Sequence, residues 1–363
     1  MPIAIMTNAQ KAKKDEFYTQ YSHIEKEIGA YLEYDSDVFR NKTVLLPCDD
    51  PEWSNFTKYF AQNFERFGLK KLISTSYAVE SKQYKSHYQV SLFEESAPQY
   101  DSKKTRTKGK IFTLTTDTSG DGKIDIEDLE WSYLNGDGDF LSDEVIKLRD
   151  EADFIITNPP FSLFREFLAW VIEANKKFVI IGNMNSINYK EVFPLIKENK
   201  IWLGAGKNDG RNVWYQVPDD YENFHKEENG KKYAFVAGTI WFTNIDHGRR
   251  HQPLPLMSEE DVIKFGTKKE FEQYENYNAI EIPRVKFIPN DYEGIMGVPI
   301  SFLSKYSPEQ FEIIWQASGN TKASAPKEIL KELGYEPHPK DKGGGAILNG
   351  KMKFGRILIR HRK

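Results

Sequence analysis

Asp153-Phe154-Ile155-Ile156-Thr157-Asn158-Pro159-Pro160-Phe161-Ser162-Leu163-Phe164-Arg165-Glu166-Phe167-Leu168 is the stretch on which the fold turns. Its first five residues are a short apolar run bounded by a turn signal, the pattern of a buried strand. The last seven keep an apolar face at helical spacing, with Ser162 as the expected N-cap. Between them two prolines fix φ and remove two backbone donors, so the turn exposes mainly carbonyl acceptors. A buried strand ending this way sets a rigid polar hook at the C-terminal edge of a sheet. Open α/β sheets bind their ligands at that edge.

The same alternation surrounds it. Candidate strands at 43–47, 71–76 and 178–182 are separated by helical faces, among them Tyr59, Phe60, Asn63, Phe64 and Phe67. This predicts an α/β protein with a parallel, Rossmann-like sheet over residues 1–205. Between Glu80 and Lys110 the pattern fades into a polar stretch, so an exposed insertion is expected over about 80–130. Beyond it, short β-like runs at 201–204, 213–217, 233–244 and 285–288 predict a β-rich region over 206–363. In that region 318–345 reads as loop, and 353–360 reads as a strand in a basic segment.

Composition narrows the class. The 363 residues carry a formal net charge of −4, which excludes a uniformly basic nucleic-acid binder but permits a local basic cleft. The lone cysteine, Cys48, excludes an internal disulfide framework and suits a reducing cytosol. No apolar stretch reaches transmembrane length and no signal-peptide pattern opens the chain, so a cytoplasmic protein without a membrane partner is expected.

The residue types in the hook define a chemistry. The Asn158 side-chain oxygen and the Pro159 carbonyl are two acceptors for the two N–H bonds of a planar amine, whose lone pair is otherwise delocalised. Holding both pushes the nitrogen towards tetrahedral geometry. Pro160 stiffens the turn, and Phe161 can stack on a base that has left its duplex. No general base is needed before attack, because the proton becomes acidic as the new N–C bond forms. The other reactant would be the methyl of a sulfonium, and catalysis would come from alignment and electrostatics.

Three further segments could seat such a donor. In Gly136-Asp137-Gly138-Asp139-Phe140, glycines permit close backbone approach, Asp139 can accept from an adenine amino group and Phe140 can pack on its ring. Lys14-Asp15-Glu16-Phe17-Tyr18-Thr19-Gln20 is a polar-aromatic patch before a helix. The stretch Cys48-Asp49-Asp50-Pro51-Glu52-Trp53-Ser54-Asn55-Phe56 leaves the first strand without the glycines usual in nucleotide loops, although Asp49 and Asp50 could receive an ammonium group.

Taken together, these segments resemble the EcoRI-type adenine-specific DNA methyltransferase family. The resemblance continues through Tyr189-Lys190-Glu191-Val192-Phe193, Trp241-Phe242-Thr243-Asn244, Gly294-Ile295-Met296-Gly297-Val298-Pro299-Ile300 and Tyr306…Pro308-Glu309-Gln310-Phe311-Glu312. It implies transfer of a methyl group from S-adenosylmethionine to N6 of a flipped adenine in a specific sequence of double-stranded DNA. It also leaves room for a separately acting cognate restriction endonuclease. Asn158, Pro159, Pro160 and Phe161 match the catalytic motif. Tyr18, Thr19, Cys48, Asp49, Asp50, Ser54, Asn55, Asp137, Asp139 and Phe140, with Asn158, fall at the cofactor positions. No acid follows the second strand at Ser74-Thr75-Ser76-Tyr77, so the ribose-hydroxyl ligand is not identified.

Candidate phosphate contacts are Lys103, Lys104 and Arg106, then Arg249 and Arg250, then Arg356 and Arg360 in the basic C-terminal strand. No metal is expected. The run Asp117, Ser119, Asp121, Asp125, Asp128 has EF-hand spacing with Gly122 at the sixth place, but Asp128 replaces the bidentate glutamate and Lys110–Leu114 before it reads as strand. A β-hairpin whose turn mimics a calcium loop is the alternative. Two other functions remain open from the residues: methylation of RNA or of a protein glutamine amide, and a non-catalytic DNA- or calcium-binding module.

Overall fold

The structure, a computed structural model, describes residues 19–48, 54–78, 97–206, 214–217, 224–266 and 271–362. It forms two compact units, Met1–Asn183 with Gly210–Asp246, and Met184–Asp209 with His247–Lys363. The first unit thus extends past the expected boundary at 205/206. Residues 210–246 join the first unit because the strand Thr239–Thr243 pairs antiparallel with the sheet strand Lys177–Asn183.

The first unit is built on β1 (Thr43–Leu46), β2 (Lys71–Ser76), β3 (Lys110–Leu114), β4 (Glu130–Tyr133), β5 (Phe154–Thr157) and β6 (Lys177–Asn183). They lie in the order β4-β3-β2-β1-β5-β6, with Thr239–Thr243 next. β2, β1, β5 and β6 are mutually parallel. Val44, Leu45, Leu46, Ile155 and Ile156 are fully buried, as expected of parallel strands covered on both faces. The covering helices include α1 (Tyr21–Tyr34), α2 (Asn55–Gln62), α3 (Asp143–Glu151) and α4 (Phe164–Glu173).

Aromatic side chains supply much of the packing. Phe39 meets Phe60 and Phe154 edge to face, with centroids 5.7 and 5.1 Å apart. Each fully buried phenylalanine contributes about 1.5–3 kcal/mol through apolar burial. Gly182 on β6 lets α4 approach: a Cβ there would overlap the Phe164 ring.

From β1 the chain moves to β2 on one side, and it later returns to place β5 on the other. That reversal opens a crevice at the C-terminal ends of β1 and β5. The expected insertion is only partly a departure from the sheet. Residues 79–96 lie outside the described residues, whereas 97–130 form the helix Ser102–Thr107 and lead into β3 and β4, which extend the sheet antiparallel.

The helix after β5 starts later than expected. Phe161–Leu163 is a 3-10 turn closed by Leu163 N–H donating to the Pro160 carbonyl at 2.9 Å, and Ser162 is exposed and caps nothing. The prolines hold the chain in a tighter turn before α4 can begin.

In the second unit a four-stranded sheet runs in the order Ala279–Glu281, Ile295–Pro299, Arg356–His361, Phe311–Ala317. Two expectations are corrected here. Residues 285–288 form a 3-10 turn, Val285–Phe287, because an apolar run of that length does not separate strand from helical turn. Residues 318–345 contain the helices Thr321–Ser324 and Lys327–Glu332, the second beginning directly after Pro326.

Candidate active site

The crevice is framed by the ends of β1, β2 and β5. Pairing of Val44 with Phe154 and Leu45 with Ile155 carries Pro47 and Cys48 alongside Thr157 and Asn158. Thr157, fully buried, donates its hydroxyl to the Pro47 carbonyl at 2.5 Å and so fixes the root of the hook to β1. Asn158 and Pro160 are half-buried and Pro159 is buried. Phe161 is half-buried and rests against the core cluster with part of its ring accessible. A planar amine entering here would meet the amide, a proline carbonyl and an aromatic surface on one rigid turn.

The 136–140 turn reaches the same crevice from the far side of β2. Gly138 has φ +88°, and a Cβ on it would overlap the Ser76 carbonyl oxygen. Gly109 is equally tight: its Cβ would lie 2.7 Å from Gly138 N. Backbone therefore packs on backbone, with Ala78 N–H donating to the Asp137 carbonyl at 2.8 Å and Gly109 N–H to the Gly136 carbonyl at 3.0 Å. Glu144 on α3 accepts from Asn135 N–H (2.9 Å) and Gly136 N–H (3.2 Å), which anchors the other end. Asp139 accepts from Leu141 N–H at 2.9 Å, an Asx turn that orients its carboxylate.

Tyr77, just past β2, links the two sides. Its hydroxyl lies 3.8 Å from Cys48 Sγ and accepts from the Phe140 N–H. Burial, then the neighbouring Cys48 and Asp139, push the phenol far above the ordinary tyrosine value, so it stays protonated. Position 77 is where a ribose-binding acid was missing from the sequence. Beside it Ser76 is buried, and its hydroxyl finds no hydrogen-bond partner among the described residues.

A third wall comes from before α1. Asn55 donates its side-chain amide to the Thr19 carbonyl at 2.8 Å, and Ser54 caps α2 by accepting from Phe56 N–H at 3.1 Å. The Thr19 hydroxyl is buried and also unmatched among the described residues. Tyr18, Asp49 and Asp50 lie outside the described residues.

One expected role changes. The Phe140 ring is buried edge to face against Phe167 and Trp170, at 5.2 and 5.6 Å, so it does not offer a face for stacking. Its contribution to the crevice is through its backbone, whose N–H holds Tyr77. The fold thus brings together Thr19, Cys48, Ser54, Asn55, Asp137, Asp139, Phe140 and Asn158 around one sheet edge. Thr157, Tyr77, Gly109 and Glu144 are participants that spacing did not single out. Only Tyr77 left a trace, as the residue standing where an acid was absent.

The basic candidates separate. Lys103 and Lys104 are exposed on the short helix Ser102–Thr107, with Arg106 exposed nearby on the same helix. Arg249 is exposed and donates to the Gly206 carbonyl at 3.0 Å. Arg250 is buried, its guanidinium 3.8 Å above the Trp202 ring and bonded to Asn199, so it is a packing residue. Arg356 grips Glu281 through Nε (3.0 Å) and Nη2 (2.7 Å). Arg360 is shared between Glu312 (2.7 Å) and Glu332 (2.8 Å). These last two arginines pair with carboxylates within the second unit.

The loop with calcium-like spacing closes on itself. It connects the antiparallel β3 and β4, as the hairpin alternative required. Asp117 accepts from Gly120 and Gly122 N–H, and Asp128 from Thr118, Ser119 and Asp125 N–H. These bonds, led by Asp125 and Ser119, hold the Asp128 carboxyl down at about 2. Among the described residues no group of three or more His, Cys, Asp or Glu side chains is placed to hold a metal ion.

A switch-point crevice in a mixed sheet, with Asn-Pro-Pro-aromatic on one strand end and an acidic glycine turn opposite, defines the class of Rossmann-like methyltransferases. The chain belongs to the family of EcoRI adenine-specific methyltransferases, whose model matches residues 5–362. It is 42% identical to the Type II methyltransferase M.EcoRI of Escherichia coli, over 99% of this chain and 97% of that one. It is 32% identical to the Type II methyltransferase M.MgeORF184P of Mycoplasma genitalium, over 97% of each. Against M.MpnI of Mycoplasma pneumoniae the identity is 31%, over 98% and 97%. No solved structure matches the chain significantly. The protein is an adenine-specific DNA methyltransferase of the restriction–modification kind.

Proposed function

We propose that the chain transfers a methyl group from S-adenosylmethionine to N6 of an adenine flipped out of a specific duplex DNA sequence. The observation that carries this is the Thr157–Pro47 bond, which locks the Asn158-Pro159-Pro160-Phe161 hook at the switch point facing the 136–140 turn. Asn158 Oδ1 and the Pro159 carbonyl accept the two amino hydrogens and bring the nitrogen lone pair out of conjugation. Phe161 supports the extruded base, and the fixed dipoles of the hook act where charge develops.

The residues present fit the donor. Asp139 suits the amino edge of an adenine ring, with Asp137 and the Phe140 backbone shaping the turn that presents it. The unmatched hydroxyls of Ser76 and Thr19 are buried polar groups suited to a polar ligand. Thr19, Ser54, Asn55, Cys48, Asp49, Asp50 and Tyr18 are assigned to its ribose and methionine end. When bound, S-adenosylmethionine supplies an electrophilic methyl on a sulfonium. Lys103, Lys104, Arg106 and Arg249 are assigned to DNA phosphates, and the β-rich region 206–363 to target recognition. No helix among the described residues is long and apolar enough to cross a membrane. A chromosomal substrate assigns the protein to the cytoplasm, beside a separately acting endonuclease of the same specificity.

The test is incubation with methyl-labelled cofactor and duplex DNA, followed by digestion to nucleosides. Label in N6-methyladenine is expected. Label confined to RNA or protein, or to a cytosine, would overturn the reading.

A further inference from the structure

Ile347–Leu348 and Lys351–Met352 of the second unit form a tight hairpin whose turn, Asn349-Gly350, has φ of 50° and 66°. Just beyond it stands Phe354, 70% exposed, more than any other large hydrophobic side chain among the described residues. Met352, 60% exposed, is close by in sequence. Scattered exposed apolar residues need no explanation. This one differs in how firmly its backbone is held.

Lys353 N–H donates to the Ala346 carbonyl at 2.8 Å, and Arg356 Nη1 donates to the Phe354 carbonyl at 2.9 Å. Arg356 is itself clamped by the buried Glu281. Gly355 presses onto the body of the unit, where a Cβ would lie 3.1 Å from Ile300 Cδ1 and 3.2 Å from Asn188 Oδ1. Arg356 thus holds the main chain of an exposed aromatic residue.

The charges near Phe354 in the chain point to the partner. Lys342 and Lys351 are exposed, Lys353 is half-buried, and the exposed Lys340 donates its ammonium to the Gly350 carbonyl at 2.5 Å. The nearby carboxylates are engaged by the hairpin and by the loop before it. Glu272 accepts from Asn349 Nδ2 at 2.7 Å, Glu275 accepts from Gly350 N–H at 2.5 Å and pairs with His338, and Asp341 accepts from Gly343 N–H at 2.8 Å. An exposed aromatic on a firmly held backbone, flanked in sequence by Lys351 and Lys353, suits a base stack between two phosphate strands. It suits a protein partner poorly, since lysine is depleted from protein interfaces.

We propose that this hairpin is a DNA wedge: Phe354 enters the base stack of the bound duplex, with Met352 against its edge, while Lys351 and Lys353 neutralise the flanking phosphates. The proposal rests on duplex DNA being the substrate. The two stand apart in one experiment, which uses a DNA fragment that the full-length protein itself labels from methyl-labelled S-adenosylmethionine. Absence of label in any DNA would remove the function on which the wedge depends.

On a labelled fragment, Phe354→Ala should weaken binding about 5- to 150-fold, the range for loss of one base–aromatic stack. The dependence on salt should stay unchanged. Lys351→Gln with Lys353→Gln should instead lower the salt slope by about 0.9 per lysine. In Phe354→Trp, the emission added to that of the seven native tryptophans should be quenched by DNA. Unchanged binding by Phe354→Ala, together with unquenched Phe354→Trp, would overturn the wedge. So would intact DNA binding by a Phe354→Ala protein that has lost self-association in sedimentation.

Discussion

Replacing Gly138 by alanine places a methyl group where the Ser76 carbonyl oxygen already is, with the Ser76 carbonyl carbon at 3.1 Å and the Tyr77 Cα at 3.3 Å. None of these is the end of a flexible side chain, so only the backbone can give. The residue also sits at φ +88°, which an L side chain adopts at a cost of about 1–3 kcal/mol. Restoring ordinary contact moves the 136–140 turn from β2 by on the order of 1 Å, and a displacement of that size can cost about 100-fold in rate. Gly136 is the internal control. Nothing lies within 4 Å of where its Cβ would stand, and its φ is not left-handed, so alanine there leaves the geometry alone. Calorimetric titration with S-adenosylmethionine and steady-state methyl transfer, run beside thermal melts, separate the cases. Gly138→Ala should lose cofactor affinity and turnover by one to two orders of magnitude, about 100-fold at the limit, and Gly136→Ala should match the parent. Equal cofactor binding by the two variants would refute the assignment of this turn to the cofactor.

Asn158→Ala should lose nearly all methyl transfer, measured as labelled N6-methyladenine, with a far smaller loss of S-adenosylmethionine affinity; normal turnover would end the two-acceptor mechanism. Arg250→Ala should lower the stability of the second unit by about 2 kcal/mol, the scale of a desolvated cation–π contact. Lys103→Gln with Lys104→Gln should melt as the parent while reducing the salt slope of DNA binding by about 0.9 for each charge. Stability should also fall in acid. Asp128 is held at about 2 against an ordinary 3.8 by backbone N–H bonds. Glu281 is held below its ordinary 4.5: burial opposes this, and Arg356 and Tyr274 outweigh it. Folded values below unfolded ones mean the contribution is full above about pH 4.5 and disappears as pH falls through the folded values. Urea titrations from about pH 7 to about pH 2.5 span that window and test it. Glu281→Gln should cost about 3–5 kcal/mol near neutrality by stranding Arg356.

The parallel strands could be read closely because their residues are apolar on both faces and bounded by turn formers; β2 and β5 fall where expected. β3 was readable from Lys110–Leu114, but its antiparallel pairing was not, since pairing depends on a partner distant in sequence. The 3-10 turns at 161–163 and 285–287 escaped because a run of three or four residues carries no period. Charged residues were the least legible. Lys103 and Arg356 look alike as letters, but one lies on an exposed helix and the other in a sheet strand opposite Glu281.

The sequence alone determined the chemistry of the hook, because two prolines, an asparagine and an aromatic in succession have few conformations and a fixed set of acceptors. It also determined the α/β class, through the hydrophobic period. Tertiary structure decided what surrounds the hook. Thr157 finds Pro47, Tyr77 bridges Cys48 and Phe140, and the Phe140 ring turns into the core while its N–H turns to Tyr77. Thr157 and Pro47 are 110 positions apart, and Tyr77 and Cys48 are 29 apart. Sheet register and close glycine packing bring such residues together, and no local pattern records either.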